Sequence, residues 1–447
     1  RRKTGALLLV VTFSLVQSTA WAQVVIPPST TDGSTVNTQD DTTRTVTSIT
    51  TNPPAGLPVV VEVANGYALN VTDLTGSVSV EGIPTGSPAV NGAVVYQTNG
   101  AAAASPEDGA TQQPAGTISV QVDAFITATG VVGSDDGPGG LLILSLGANG
   151  YGTGNVLLPP ADDYDVQAFN GTAGGAITAT FGGSLLVSGA GSGGAFSFFS
   201  PTLVGMGVRS VGGDNSAGYY LTGIEETTVP FVGNGGGTGS VNVTTLEASS
   251  IEVTQSGPGT NAVGLLVSAQ GGAAPEMGGV VPDIQAGTGG TPGAVWLYHT
   301  GSITVNAESG FGILAMSRGG DGNVTDFSPI NPSGGRPGNG GAVTVETAGA
   351  TIRMPQGGVG LFALSQAGTW DPFDDPYLPG GGQVEVTVNG GSIEVGSGSA
   401  PFNFGVLAIS AGSPLITGED FLDDLTGSGV AGDITVTNGG AISTEGE

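Results

Sequence analysis

Cysteine is absent from this chain, and basic residues are scarce. Disulfide and thiolate chemistry is therefore excluded. Lysine occurs once, as Lys3, and histidine once, as His299, so a GxxxxGK phosphate loop, a Schiff-base lysine and a His-rich zinc site all lack their residues. Only 8 Lys+Arg face 37 Asp+Glu, giving a formal net charge of −29. Such an acidic chain repels nucleic acid phosphates, so no nucleic acid partner is expected.

Glycine is the abundant residue, with 83 Gly and 27 Pro among 447 residues. A collagen triple helix is excluded because the glycines have no three-residue period. Glycine and proline together make up about a quarter of the chain, at the lower edge of the composition typical of disorder. A disordered, Gly- and Thr-rich secreted linker is therefore one hypothesis to weigh against a folded domain.

The first residues have the pattern of an export signal. Arg1–Lys3 are basic, residues 5–16 form an apolar run, and Ala20 and Ala22 supply the A-x-A pattern that signal peptidase accepts. The apolar run is too short to span the roughly 30 Å hydrocarbon core of a membrane. We predict a signal peptide over residues 1–22, cleaved after Ala22, and hence an exported protein.

A nine-residue unit recurs along the rest of the chain. It consists of Gly, four mostly apolar residues, usually Ser, one variable residue, and then two positions that are mostly Gly or another small residue, as in GILAMSRGG and GLFALSQAG. The leading glycines are Gly92, Gly140, Gly205, Gly264, Gly312, Gly360 and Gly405, with spacings of 48, 65, 59, 48, 48 and 45 residues. A repeat of this length is typical of stacked architectures.

Two alternating segments precede most copies, for example Val343–Glu346 and Ile303–Val305. Alternation of β-branched and polar residues predicts strands with one buried face. In the best-defined repeat we predict strands at 342–347, 351–354 and 359–365, followed by a long loop. The predicted fold is all-β: a right-handed parallel β-helix over residues 57–447, with three-strand rungs and long, variable loops after the third strand.

Stacking of equivalent residues should fill the interior of this β-helix. In the third strand, Ile313, Ala315 and Ser317 should face one way, while Leu314 and Met316 face the other. Glycines at the head of each third strand are expected to allow sharp corners. Each serine of the unit should bond to its neighbour in the next rung. These serines are Ser145, Ser210, Ser317, Ser365 and Ser410.

The outer face of the third strands is also apolar. We expect the long loops to fold over it, since a large bare apolar patch is unusual on a soluble protein; the alternative is a ligand-binding strip. The loop residues expected to cover it are Trp370, Phe373, Tyr377, Phe421 and Leu422. Residues 23–56 read as a polar leader or cap. Residues 432–447 open a new repeat without its third strand, so we expect the natural chain to continue past Glu447.

The order of an alternating strand, then NGGAIST or NGGSIEV, then FGILAMSRGG or VGLFALSQAG, resembles passenger domains of bacterial autotransporters (type V secretion). The resemblance covers about residues 57–447. It implies a passenger domain on a Gram-negative cell surface, or released from it. It also implies a partner, the protein's own C-terminal outer-membrane β-barrel, which is not within this sequence. A two-partner-secreted protein and a periplasmic β-helix remain alternatives.

Carboxylate pairs are the main candidates for chemistry. They are Asp135/Asp136, Asp162/Asp163, Asp371 with Asp374/Asp375, Glu419/Asp420 and Asp423/Asp424. Paired carboxylates could serve a glycosidase or bind calcium, but solvated loop acids are the simpler interpretation, and we assign no catalytic, cofactor or metal site. We expect His299 to be structural. Arg209, Arg318 and Arg353 should pair with nearby carboxylates.

The sequence supports two alternative hypotheses for the function. The first is a non-enzymatic surface rod used in adhesion, with host-surface or glycan ligands or self-association as its partners and no cofactor. The alternative is an extracellular β-helix enzyme, a lyase or glycosidase, acting on polysaccharide.

Overall fold

The computed structural model describes the chain in separate stretches. These are residues 24–25, 36–40, 45–51, 59–63, 66–81, 92–132, 138–152, 155–157, 165–190, 203–222, 226–257, 261–274, 287–322, 336–369, 379–397, 403–412 and 430–445. The predicted signal peptide, including Ala20 and Ala22, lies outside these residues.

Successive strands enter three different sheets in turn, so that each sheet collects every third strand of the repeat region. We number the sheets by the position of their strands in one repeat. Sheet 1 has the order β2 (Val36–Asp40), β3 (Thr45–Thr51), β5 (Ala68–Thr75), β8 (Ile118–Val122), β12 (Ile177–Phe181), β17 (Val241–Thr245), β20 (Val295–His299), β23 (Val343–Ala348), β26 (Val384–Asn389) and β29 (Ile434–Asn438).

The second strands of the repeats form sheet 2. Its order is β6 (Ser77–Glu81), β9 (Phe125–Val132), β13 (Ser184–Ala190), β18 (Ser250–Ser256), β21 (Ser302–Asn306), β24 (Thr351–Met354), β27 (Ser392–Val395) and β30 (Ala441–Thr444). Sheet 3 has the order β1 (Val24–Val25), β4 (Val59–Val63), β7 (Gly92–Asn99), β10 (Gly139–Leu146), β14 (Leu203–Val211), β19 (Asn261–Gln270), β22 (Ser309–Arg318), β25 (Gly358–Gln366) and β28 (Asn403–Ala411).

A small side sheet lies outside the repeat pattern. It consists of β11 (Asn155–Leu157), β15 (Ala217–Thr222) and β16 (Glu226–Val232). Among the described residues, short 3-10 helices occur at Gly109–Thr111 and Val166–Phe169. Within the described part of the chain, no helix is long and apolar enough to cross a membrane.

Parallel pairing between equivalent strands makes this a parallel β-helix, as predicted. The rung expected at 342–347, 351–354 and 359–365 is formed by β23, β24 and β25, within one residue at each end. All seven nine-residue units lie side by side in sheet 3. The alignment of the first copy was wrong by one residue, because Gly92 pairs with Gly139 and not with Gly140.

Equivalent residues stack in the interior. Val241, Val295, Val343 and Val384 occupy one register position of sheet 1, and all four are buried. The predicted facing of the third strand is confirmed: alternate residues of β22 belong to two separate apolar clusters, one inside the helix and one on the outer face of sheet 3. Burial of these side chains on both faces is the main favourable term in the stability of the fold.

The glycines at the heads of the third-strand units do not form corners. Gly312 and Gly360 lie inside β22 and β25, and neither has a positive φ. A Cβ on Gly312 would lie 2.4 Å from Cγ2 of Ile352, and one on Gly360 would lie 2.3 Å from Cγ2 of Ile393. The expected corner role is therefore wrong for these positions. They are glycine because a second-strand isoleucine of the next rung packs against the bare backbone.

The outer face of sheet 3 is buried over its C-terminal half. Leu314, Phe362 and Leu364 are buried, and the rings of Phe311 and Phe362 stack with centroids 5.9 Å apart. Trp370, Phe373, Tyr377, Phe421 and Leu422, the loop residues expected to cover this face, lie outside the described residues.

The two ends of the β-helix differ. At the N-terminal end, β1 pairs antiparallel with β4, and β2 pairs antiparallel with β3. At the other end, β29 and β30 continue the parallel stacking of sheets 1 and 2. Ile434, Val436 and Ile442 on these last strands are exposed, whereas the equivalent residues one rung earlier are buried.

Candidate functional site

One edge of the β-helix, between the end of sheet 3 and the start of sheet 1, carries a long connection in every rung after the first, in which only residues 64–67 join β4 to β5. We call it the loop edge. It comprises residues 100–117, 147–176, 212–240, 271–294, 319–342, 367–383 and 412–433. Elsewhere the turns are mostly short, such as Asp123–Ala124 between β8 and β9. Two exceptions correct the expectation that only the loops after third strands vary: residues 82–91 connect β6 to β7, and residues 191–202 connect β13 to β14.

Backbone hydrogen bonds between glycines fix the base of the loop edge. Segments that leave the third strands alternate with segments that return to the first strands. One glycine of each segment donates its N–H to the carbonyl oxygen of a glycine in the preceding segment, with N···O distances of 2.8 to 2.9 Å. We call this series the glycine column: Gly213, Gly236, Gly272, Gly290, Gly320, Gly338 and Gly368. The connections 212–240, 271–294 and 319–342 are thereby held at both of their ends.

The glycine column admits no side chain. A Cβ added to Gly290 would lie 1.9 Å from the carbonyl oxygen of Gly236, and one added to Gly320 would lie 1.9 Å from that of Gly272. Real Cβ atoms do not approach a carbonyl oxygen so closely, because the two would overlap. These residues are glycine because two backbones meet there, an arrangement that the nine-residue pattern alone did not reveal.

Serine hydroxyls tie the same edge to the interior, but not in the way expected. Ser365 Oγ donates to the carbonyl oxygen of Gly341 at 2.7 Å and accepts from the N–H of Gly382 at 2.7 Å. Ser410 Oγ repeats the pattern with Gly382 O at 2.8 Å and Gly432 N at 2.7 Å. The predicted serine-to-serine bond is therefore wrong for these rungs. The hydroxyl instead links two backbone segments, which precede the first strands of two successive rungs.

Replacing Ser365 by alanine is expected to lower the free energy of unfolding by about 1–3 kcal/mol, because a backbone carbonyl and an N–H lose their buried partner. Alanine fits sterically, since Ala269 occupies the equivalent position. The exposed Ser119→Ala is the control and should change stability by less than about 0.5 kcal/mol. Denaturant midpoints measure both effects. Equal midpoints for the two variants would contradict this role of the hydroxyl.

Outside the glycine column, Asx side chains extend the pairing from rung to rung. Asn149 Oδ1 accepts from the N–H of Asp214 at 2.9 Å, and Asp214 Oδ1 accepts from that of Ala273 at 2.8 Å. Asp321 Oδ1 likewise accepts from Thr369 N at 2.8 Å. These side chains line a groove with two adjoining cavities of about 330 and 510 Å³. The groove is open and lined by both polar and apolar atoms, and its carboxylates already accept hydrogen bonds from backbone N–H groups.

The predicted arginine pairs are confirmed for two of the three arginines. Arg318 Nη2 lies 3.0 Å from Asp321 Oδ1, and Arg353 Nε lies 3.1 Å from Glu394 Oε2. The Arg353 pair is exposed on sheet 2, where such a pair contributes little to stability. Arg318 and Arg353 therefore each neutralise a nearby carboxylate. The acid pairs singled out in the sequence, Asp135/Asp136, Asp162/Asp163, Asp371 with Asp374/Asp375, Glu419/Asp420 and Asp423/Asp424, lie outside the described residues.

His299 is buried at the end of β20, facing the interior. Its Nδ1 shares a hydrogen bond of 2.5 Å with Thr245 Oγ1 of the neighbouring rung. Its Nε2 has no hydrogen-bonding partner in the part of the chain that the structure describes. Burial lowers the pKa of the imidazole to about 4. A neutral, enclosed imidazole fits the predicted structural role.

Within the described ranges, no three carboxylate or imidazole groups come close enough to hold a metal ion. The arrangement at the loop edge suits binding by surface contact, because its polar groups are fixed by the backbone and its connections are long. No family model, curated protein or solved structure matches this chain.

Proposed function

We propose that this protein is an exported, non-catalytic β-helix rod of the autotransporter passenger kind. In this proposal it acts at the surface of a Gram-negative cell, where its loop edge adheres to other surfaces or to other copies of the protein. The observation that carries the proposal is the loop edge itself. From β7 onward, each long connection from sheet 3 to sheet 1 begins and ends at the same edge of the β-helix, and the glycine column joins the ends of several of these connections.

The physical argument rests on the division between scaffold and loops. Stacked rungs bury a continuous core and give a stiff rod, whereas loops tolerate changes in length and sequence at little cost to that core. Binding residues of many proteins lie on loops that a rigid scaffold positions. A row of loops along one side of a rod provides an extended contact surface, and many weak contacts along it give high avidity.

The polysaccharide-enzyme alternative needs two carboxylates that face a common space with their oxygens free. Asp214 and Asp321 line the groove described above, but one oxygen of each accepts a backbone N–H, and Asp321 also pairs with Arg318. This geometry favours a structural role for both residues and supports the adhesive proposal.

Beads coated with the purified mature chain should clump or attach to cells, and settling rates and microscopy measure this. Residues 275–286, 323–335 and 370–378 of the loop edge are then replaced together by Gly-Ser linkers of equal length, and attachment should fall. The matched control replaces residues 191–202, which connect β13 to β14 and not sheet 3 to sheet 1, and should keep attachment. Coated beads that settle like bare ones, or a loop variant that attaches normally, would refute the proposal.

A further inference from the structure

The outward face of sheet 1 is polar except at one strand. On either side of β20, the outward side chains are polar: Asn242 and Thr244 on β17, and Thr344 on β23 together with Glu346. At the centre of this face lie Trp296 and Tyr298. Trp296 is 37% exposed, an unusual state for so large a ring.

The two rings form a paired aromatic surface. Their planes are within 8° of parallel, and their centroids are 6.2 Å apart. Neither ring belongs to the two largest apolar clusters, those of the interior and of the C-terminal half of the outer face of sheet 3. The register places polar residues beside both rings, so packing of the scaffold gives no reason for a tryptophan at this position.

We propose that Trp296, Tyr298 and the polar residues beside them bind a neutral polysaccharide. We call this set the aromatic platform. The faces of aromatic rings carry negative charge density and attract C–H groups that carry partial positive charge. A sugar ring offers such C–H groups on its face and hydroxyls around its rim. On sheet 1 the two aromatic rings offer a surface for the C–H groups of a sugar. Asn242, Thr344 and Glu346 beside them supply hydrogen-bonding groups for its hydroxyls.

The negative charge around the aromatic platform favours neutral ligands over anionic ones. Glu346 lies beside Tyr298 on β23, and Glu385 lies beside Thr344 on β26. The Nδ2 of Asn389 donates to Glu346 Oε1 at 3.2 Å, which holds that carboxylate in place. Together with the net charge of −29, these groups repel nucleic acid and anionic polysaccharides.

A protein partner fits this surface less well. Stable protein interfaces desolvate a core of apolar and aromatic residues within a rim of polar ones. Here a single aromatic pair lies among polar side chains, with no apolar residue at the neighbouring register positions on either side. The platform also lies on sheet 1, apart from the loop edge. Binding of polysaccharide can therefore fail while adhesion through the loops survives, and the reverse also holds.

The test is affinity electrophoresis of the full mature chain in native gels that contain hydroxyethyl cellulose, glucomannan, dextran or, as the anionic arm, alginate. Wild type should be retarded in at least one neutral gel and not in alginate. Trp296→Thr, which copies the Thr344 that follows in the same register, should weaken retardation at least about tenfold. Tyr298→Thr should also weaken it. Phe125→Ser, which changes an exposed aromatic residue of sheet 2, is the control and should bind as wild type does.

Circular dichroism melts check that each variant folds. Trp296 is exposed and Tyr298 is half-buried, and neither belongs to the interior cluster, so little change in melting is expected. No retardation in any neutral gel would overturn the proposal, as would equal retardation of wild type and Trp296→Thr. Retardation in alginate alone would also overturn it. A chain that instead binds an immobilised basic peptide, and loses that binding on Trp296→Thr, would assign the platform to a cationic partner and overturn the polysaccharide proposal.

Discussion

Replacing Gly290 by alanine should destabilise the protein by at least about 3 kcal/mol and sharply reduce the yield of folded chain. The new Cβ would lie 1.9 Å from the carbonyl oxygen of Gly236. That oxygen accepts the N–H of Gly272, and Gly290 in turn donates to Gly272. Relief of the overlap therefore requires three successive segments of the loop edge to separate, with loss of their hydrogen bonds. Denaturant midpoints and soluble yield measure the effect.

A matched glycine separates this effect from glycine replacement in general. Gly207 lies in the middle of β14, and the nearest atom to an added Cβ is Cδ2 of Leu142 at 3.0 Å, the far end of a flexible side chain. Gly207→Ala should therefore change the free energy of unfolding by less than about 1 kcal/mol, since alanine also suits a strand better than glycine does. If Gly290→Ala unfolds at the same midpoint as Gly207→Ala, the glycine column does not hold the loop edge.

His299 should make the protein sensitive to mild acid. Burial lowers the pKa of His299 in the folded state to about 4 from an ordinary value of 6.5. The unfolded chain therefore binds a proton more readily than the folded one. The contribution of this residue to stability is fully present above pH 6.5 and is lost as the pH falls towards 4. Over that interval the loss amounts to about 3 kcal/mol.

The measurement is the free energy of unfolding as a function of pH, for wild type and for His299→Phe. Phe181 is buried in the same register column, so an aromatic ring fits there. The two proteins share all 37 acidic residues, and the difference between their pH profiles isolates the imidazole. The wild type should lose stability relative to the variant between pH 6.5 and 4. Parallel profiles would show that His299 titrates normally in the folded chain.

Local sequence was sufficient to predict the strands and their stacking. Alternation identifies the buried side of each short strand, and the nine-residue unit repeats often enough to align the rungs. Ile303, Ile352 and Ile393 share one register position in sheet 2, as repetition implies. The one-residue error at Gly92 arose because this copy has alanine where the later copies have glycine, so the motif was anchored on the wrong residue.

The candidate sites were harder to predict because their residues come from separate rungs. Trp296 and Tyr298 alternate with apolar residues in an ordinary strand pattern, and only the structure shows that they lie on the outer face among polar neighbours. The signal was present, since a tryptophan at an outward position of an alternating strand is exposed if the alternation holds. The partners of the serines were missed because they are backbone groups, which have no sequence signature.

The sequence by itself determined the β-helix, its register and the acidic, cysteine-free chemistry of the chain, because periodicity and composition are properties of local sequence. Only the tertiary structure decided why particular glycines are required. At Gly312 the reason is an isoleucine of the next rung, and at Gly290 it is a carbonyl from the preceding loop. Both contacts join residues far apart in sequence, at distances that depend on how the rungs stack.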